Sequence, residues 1–146
     1  MSITSDRSRA RRYAVQALYE WQVSGNAPKA IEQQFLIEHQ TRKFDRPYFN
    51  ELLTGISDQV EELDALISPL SDRPFKEVDI VEKAILRLGC FELKNRIDIP
   101  YRVVINEAIE LTKTFGADKA HRFVNGTMDK LAEVLRKVEV AAKKGG

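Results

Sequence analysis

The sequence predicts an all-α protein of about seven helices in two packed helical subdomains. Apolar residues recur every three or four positions through most of the 146 residues, which is the spacing of an amphipathic helix. Clusters of Gly, Pro, Ser and Asn divide this pattern into segments of helical length, and no segment has the composition and alternation of a convincing strand. With 43% hydrophobic residues, a chain of this size buries a sizeable core without disulfides or metal.

The first half of the chain contains three predicted helices. Helix one covers about residues 6–24 and ends at Gly25, because glycine readily takes the backbone conformation that follows a helix. Helix two begins near Pro28, which suits a first helical turn. Helix three carries the strongest apolar stripe, is predicted over about 46–68, and has Asp45 as a candidate N-cap.

A loop rich in Ser and Pro at residues 71–74 breaks the pattern near the middle of the chain. We expect a joint between subdomains there, within one domain of residues 1–146. The N-terminal subdomain would cover about 6–70 and the C-terminal subdomain about 76–139.

Helix four carries an apolar stripe from Val78 to Phe91, and helix five extends from Pro100 to Gly116. The β-branched run at 103–105 also suits a strand, but the four-residue spacing continues through Ala108 and favours a helix.

The last segment begins with a short helix that Asp118 can cap. The pair at 125–126, Asn followed by Gly, either kinks this helix or separates it from a final helix over about 128–138. We expect the tail at 141–146 to fray.

The chemistry of the chain argues against an enzyme. A single cysteine, Cys90, with only His39 and His121 cannot form a Cys/His zinc site, and no glycine-rich phosphate loop occurs. Cys90 lies on a predicted core helix, where a thiol is usually inert packing. We therefore expect no catalytic residue, no metal and no cofactor. Neither a membrane span nor a secretory signal is present, so we expect a cytoplasmic protein.

Charge is unevenly distributed although the net charge is only +1. Residues 1–24 carry +2, residues 25–112 carry −5, and residues 113–146 carry +4. Basic ends and an acidic middle suit a polyanion at one surface and a basic partner at another. The alternative is that these charges only solvate helix faces.

Two basic clusters are candidates for binding a polyanion. The first comprises Arg7, Arg9, Arg11 and Arg12 at the start of helix one. A planar guanidinium binds two phosphate oxygens at once and stacks on bases, and four such charges so close repel one another unless an anion joins them. The alternative is a solubilising basic tail.

The second cluster combines phosphate-binding cations with groups that stack on or read an unpaired base. Its members are Lys119, His121, Arg122, Phe123 and Asn125. Phe123 alone is as well explained as a core residue. No helix-turn-helix or aromatic sheet is predicted, so single-stranded RNA is favoured over duplex DNA. The residues themselves thus indicate an α-helical module that binds a polyanion.

Four blocks carry a more specific signal: RRYAVQALYEW at 11–21, EKAILR at 82–87, IPYRVVINEAIEL at 99–111, and FGA at 115–117 with FVNG at 123–126. In this order, over about residues 7–138, they closely resemble the NusB family of bacterial transcription antitermination factors. Two places depart from the family pattern. Lys119 stands where relatives often have an acidic residue, and Thr127 and Met128 stand where two aliphatic residues are expected.

The resemblance implies a non-catalytic, all-α protein that binds the single-stranded boxA element of ribosomal RNA leader transcripts. It also implies a heterodimer with NusE, a small-subunit ribosomal protein that also serves transcription elongation, and assembly of an antitermination complex on RNA polymerase. It leaves open whether the free protein forms a homodimer. The RNA-binding residues it implies are Arg7, Arg9, Arg11, Arg12, Gln16, Lys119, Arg122, Phe123 and Asn125. The NusE-binding residues it implies are Tyr19 and Glu82.

Two other functions compete with this interpretation. An RNA-binding domain of a ribosomal RNA cytosine methyltransferase has a similar sequence pattern, but no residues remain in this chain for a catalytic domain. An adaptor that binds only proteins would use the arginines on an acidic partner. The salt dependence of binding distinguishes the two functions. If the ligand is RNA, the logarithm of the affinity falls linearly with the logarithm of the salt concentration, and the slope is set by the number of phosphates neutralised.

Overall fold

The computed structural model describes the backbone of residues 3–116 and 119–145, and the side chains of 5–116 and 119–142. Within these residues the chain forms eight α-helices, two short 3-10 turns and no strand, which confirms the predicted all-α class. The chain divides into two compact units, Met1–Gln59 and Val60–Gly146.

The first unit contains α1 (Ile3–Ser24), α2 (Pro28–Glu38) and α3 (Arg46–Asp58), and α1 packs against both others. Alanines on the buried face of α1 allow this close packing, since their side chains add little width to the helix. Two predicted helix ends are confirmed. Gly25 ends α1 with a φ of 74°, and the Asp45 carboxylate caps α3 by accepting the Tyr48 N–H at 3.0 Å.

The second unit contains α4 (Val60–Ile67), α5 (Ile80–Asn95), α6 (Tyr101–Phe115), α7 (Ala120–Leu135) and α8 (Lys137–Gly145). The two 3-10 turns, Ser68–Leu70 and Phe75–Glu77, lie between α4 and α5. The α5 helix is the most buried, and it packs against α4, α6 and α7. Gly89 of α5 lies against the Met128 side chain of α7, so near that a Cβ at position 89 would come within 2.6 Å of the methionine sulfur.

The predicted helix over 46–68 is wrong in one respect, because it breaks at Gln59 into α3 and α4. Gln59 leaves the helical conformation with a φ of −105° and a ψ of 13°. The boundary between the two units falls at this break, ahead of the 71–74 loop where we expected a joint. Glu61 and Glu62 in the first turn of α4 favour a new helix start, because carboxylates stabilise the positive end of a helix dipole.

The last third of the chain also differs from expectation. The helix does not end or separate at 125–126, because α7 continues through Asn125 and Gly126 to Leu135. Residues 141–145, expected to fray, continue α8. The expected cap Asp118 lies outside the described residues.

Arg136, between α7 and α8, is almost fully buried and donates several hydrogen bonds. Its guanidinium donates to the carbonyl oxygens of Glu92, Leu93 and Arg96 at the end of α5, at 3.2, 2.8 and 2.9 Å. It also donates to the Ile99 carbonyl at 2.9 Å. The Glu92 and Arg96 carbonyls also accept the N–H groups of Arg96 and Ile99. The Arg136 cation therefore adds to the hydrogen bonds at the end of α5, where helix carbonyls carry a partial negative charge.

The start of α6 depends on the same group. Pro100 precedes α6 and supplies no side-chain cap, but Glu139 of α8 accepts the Tyr101 N–H at 2.9 Å through Oε2. Oε1 of Glu139 accepts from Arg136 Nη1 at 2.7 Å. Arg136 and Glu139 therefore hold the end of α5, the start of α6 and the junction of α7 with α8 together.

Replacing Arg136 with methionine should lower the free energy of unfolding by about 3 kcal/mol or more, because it removes the charged donor of the Leu93 and Ile99 carbonyls and the cation paired with Glu139. Urea denaturation followed by circular dichroism measures this loss. Lys137→Met, at the exposed neighbouring position, is the matched control and should change stability little. A loss below about 1 kcal/mol for Arg136→Met would contradict the role assigned to the guanidinium.

Candidate nucleic-acid interface

The four arginines at the start of α1 point to two different sides of the helix. Arg7 and Arg11 are one turn apart and continue into the stripe that contains the buried Ala14 and Leu18. Arg9 and Arg12 lie on the other side, in line with the exposed Gln16. The cluster that is continuous in sequence is thus divided in space.

Arg7 and Arg11 are used inside the first unit. The Arg11 side chain is only 2% exposed, and its Cζ lies 5.6 Å from the centre of the Tyr48 ring. Arg7 Cζ lies 4.9 Å from the same ring, and Arg7 Nε is 3.8 Å from Asp45 Oδ2. Both cations therefore attach α1 to the first turn of α3.

Arg11 is almost fully buried in the free chain, and its contact with RNA stays a prediction. Arg7 keeps a side-chain exposure of 30%, but its guanidinium is engaged with Asp45 and Tyr48. Arg11 therefore lies outside the accessible basic surface of α1, whereas Arg7 is half-buried, as are Arg9 and Arg12.

Arg9, Arg12 and Gln16 form the polar surface that α1 presents to solvent. Arg9 Nη1 donates to the Lys43 carbonyl, which brings the loop between α2 and α3 against the start of α1. This loop presents the exposed side chains of Arg42 and Lys43. Local sequence patterns did not identify these two cations, because only the fold brings the loop to α1.

The loop at 39–45 is itself held by a cation. Arg46 Nη2 donates to the carbonyl oxygens of His39, Gln40 and Arg42 at 3.1, 3.2 and 3.1 Å. Its guanidinium also lies 4.5 Å from the centre of the Phe44 ring. The position of the basic loop is therefore defined by side-chain contacts as well as by the chain itself.

The second basic cluster lies on the first two turns of α7, in the second unit. Lys119 precedes the helix with a positive φ of 68°, and both Lys119 and Arg122 are exposed. Phe123 and Asn125 are half-buried. Phe123 is thus neither a core residue nor a free aromatic surface.

Arg73 covers the Phe123 ring, a contact that sequence patterns did not reveal. Its Cζ lies 4.3 Å from the ring centre, which is the geometry of a cation–π contact. Arg73 belongs to the loop ahead of α5, 50 positions from Phe123 along the sequence. The Phe123 ring, which we expected to stack on an RNA base, is therefore partly covered by the Arg73 guanidinium.

The two expected partner-binding residues differ in exposure. Tyr19 is 45% exposed and follows Arg12 and Gln16 along the same side of α1. Glu82, in the first turn of α5, is only 4% exposed. Its Oε1 accepts from Arg73 Nη1 at 3.5 Å. In the free chain Arg73 is the exposed group at this place, and the contact of Glu82 with a partner stays a prediction.

Burial also changes the proton affinity of Glu82. Desolvation raises the pKa of its carboxyl group above the ordinary value of 4.5, Arg73 acts in the opposite direction, and the nearby Asp79 adds to the increase. The attraction of one partly exposed guanidinium therefore does not fully offset the cost of burying the charge.

The single cysteine belongs to the core. Cys90 is fully buried, and burial raises the pKa of its thiol to about 12, so the thiolate is scarce near neutral pH. This confirms its prediction as a core residue. Within the described residues there is no group of three or more His, Cys, Asp or Glu placed to hold a metal ion. No helix in that part of the chain is both long and apolar enough to cross a membrane.

Comparisons of the sequence with a family model and with known proteins indicate the same family. The model of the NusB family matches residues 8–133. A protein of Alcanivorax borkumensis named transcription antitermination protein NusB is 52% identical over 143 residues, which cover 98% of this chain and 95% of the relative. A protein of the same name from Pectobacterium carotovorum is 54% identical over 131 residues, covering 90% and 94% of the two chains.

Among solved structures, NusB of T. maritima superposes with a TM-score of 0.76 at 30% identity. The superposition covers 87% of this chain and 90% of that one.

The burial of the Glu82 carboxylate predicts how the free energy of unfolding depends on pH. Because the pKa of Glu82 is raised in the folded state, the folded chain binds more protons than the unfolded chain between pH 4.5 and that raised value. Rising pH therefore lowers the contribution of Glu82 to the free energy of unfolding. The stability of Glu82→Gln relative to wild type should increase from about pH 4.5 towards neutrality. Urea denaturation across this range, with the exposed Glu77→Gln as control, tests the slope; a flat difference would contradict it.

Proposed function

Because the chain belongs to the NusB family, we propose that it acts as a non-enzymatic transcription antitermination factor in the cytoplasm. Its RNA ligand is the single-stranded boxA element of ribosomal RNA leader transcripts. Its protein partner is NusE, with which it helps to assemble an antitermination complex on RNA polymerase.

The observation that carries the RNA-binding proposal is the division of the α1 arginines. Arg7 and Arg11 anchor the helix through Tyr48, and this leaves Arg9, Arg12 and Gln16 together on the solvent side. A basic helix face that is held rigidly presents guanidinium groups to phosphates with a smaller loss of conformational entropy on binding.

A second group of residues supports a single-stranded ligand. Lys119 and Arg122 supply exposed cations, while Phe123 and Asn125 supply a partly accessible π-face and an amide with both a donor and an acceptor. Unpaired bases present faces for stacking and edges for hydrogen bonds, whereas the bases of a duplex do not present both. The proposed RNA-binding residues are Arg9, Arg12, Gln16, Lys119, Arg122, Phe123 and Asn125.

The proposed NusE-binding residues are Tyr19 and Glu82. Tyr19 offers a large, partly exposed aromatic surface of the kind that is enriched at protein interfaces. The acidic charge of residues 25–112 suits a basic ribosomal protein.

Two arginines without an assigned structural contact provide the test of RNA binding. Arg12→Ala and Arg122→Ala, one in each unit, should together reduce the slope of log affinity against log salt by about 1.4, because each phosphate contact to a single strand contributes about 0.7. Fluorescence anisotropy with a labelled boxA RNA and a scrambled RNA, with and without NusE, measures the affinity and the slope.

The matched control is the pair Lys29→Ala and Lys113→Ala, which removes the same charge from exposed positions outside the clusters. It should leave the slope close to that of the wild type. Equal slopes for all three proteins would place the basic residues on a protein partner instead of RNA. Gel filtration of each free variant checks whether self-association accounts for a difference.

A further inference from the structure

Three residues that are distant in sequence meet at the start of α5 and α7. Arg73 Nη1 is 3.5 Å from Glu82 Oε1, and Arg73 Cζ is 4.3 Å from the centre of the Phe123 ring. In the proposed function, Glu82 belongs to the protein partner's side and Phe123 to the RNA side. Arg73 therefore contacts both residues.

The backbone of Arg73 is held firmly although its side chain is 52% exposed. Ser71 Oγ donates to the Arg73 carbonyl at 2.7 Å and accepts its N–H at 3.3 Å. The neighbouring Asp72 binds Lys130 of α7 at 2.9 Å, and this ties the loop to the helix that carries Phe123. A change of partner by Arg73 thus requires movement of the side chain alone.

The contact between Arg73 and Glu82 is weak enough to be exchanged. A nitrogen–oxygen distance of 3.5 Å lies beyond the usual range of about 2.7–3.2 Å for such hydrogen bonds. The Glu82 carboxylate is nearly buried, so it gains more from a close, well-aligned cation than from this long contact. A basic group of a partner that reached Glu82 would replace Arg73 and leave its positive charge available.

We propose that Arg73 couples the two binding events: a basic group of the protein partner displaces it from Glu82, and the freed guanidinium then pairs with an RNA phosphate beside Phe123. This inference rests on the proposed function. The coupling works in both directions, because any factor by which the partner tightens RNA binding must equal the factor by which RNA tightens partner binding.

The planar shape of arginine suits this role. A guanidinium that lies over an aromatic ring keeps its N–H groups at the rim, where they remain available to phosphate oxygens. Lysine would bring the same charge without the planar contact. The identity of residue 73 should therefore affect the coupling more than the charge alone predicts.

The test is a thermodynamic cycle on the full chain. The affinity for labelled boxA RNA is measured with and without saturating NusE for wild type, Arg73→Gln and Lys76→Gln. Lys76 is an exposed cation of the same loop and serves as the matched control. The ratio of the two affinities is the coupling factor, and a purely structural effect on folding would change both affinities without changing their ratio.

We expect the coupling factor to fall by about threefold or more in Arg73→Gln, a modest part of the 5- to 150-fold range typical of coupled sites, and to stay unchanged in Lys76→Gln. An unchanged factor in Arg73→Gln, or an equal fall in both variants, would overturn the inference while the proposed function stands. A wild-type chain that binds no RNA, or whose RNA binding NusE does not tighten, would overturn the proposed function and this inference with it.

Discussion

The arrangement of the second unit depends on the hydrogen bonds that the Arg136 guanidinium donates. This group joins the end of α7 to the end of α5, and the Gly89–Met128 contact joins the middles of the same two helices. Arg73 bridges their first turns through Glu82 and Phe123. The two helices therefore run parallel, and the distance that Arg73 spans is set by contacts further along the pair.

In the first unit, Tyr48 and Asp45 hold two helices together at their first turns. Tyr48 accepts two cations on its ring, and its N–H is bound by the Asp45 cap, so the start of α3 holds the start of α1. Without these contacts, four neighbouring arginines would repel one another near the positive end of a helix dipole. The fold relieves this repulsion by neutralising part of the cluster internally, and the exposed part remains available to an anion.

Much of the fold follows from local patterns, because a helix face and a cap are encoded within a few residues. The apolar stripe of α3, the Asp45 cap and the Gly25 terminus were all predicted in this way. The break at Gln59 was not, because a single non-helical residue hardly alters an apolar stripe that continues from Ile56 to Leu63. The helical spacing already places Arg7 and Arg11 on the buried side of α1. We did not predict this division of the arginines, because charged residues are normally expected to be exposed.

Contacts between distant segments explain what sequence reasoning missed at the candidate site. The loop at 71–74 has the composition of a connection, and nothing local indicates that Arg73 covers Phe123. The burial of Glu82 could not be predicted from the sequence either, because an acidic residue in the first turn of a helix is normally exposed. Its burial creates a carboxylate that lacks a close partner, and Arg73 lies near enough to satisfy it in part. A site in which one cation serves both an acid and an aromatic ring responds to ligands of either charge, since an occupant of one group changes what the cation offers to the other.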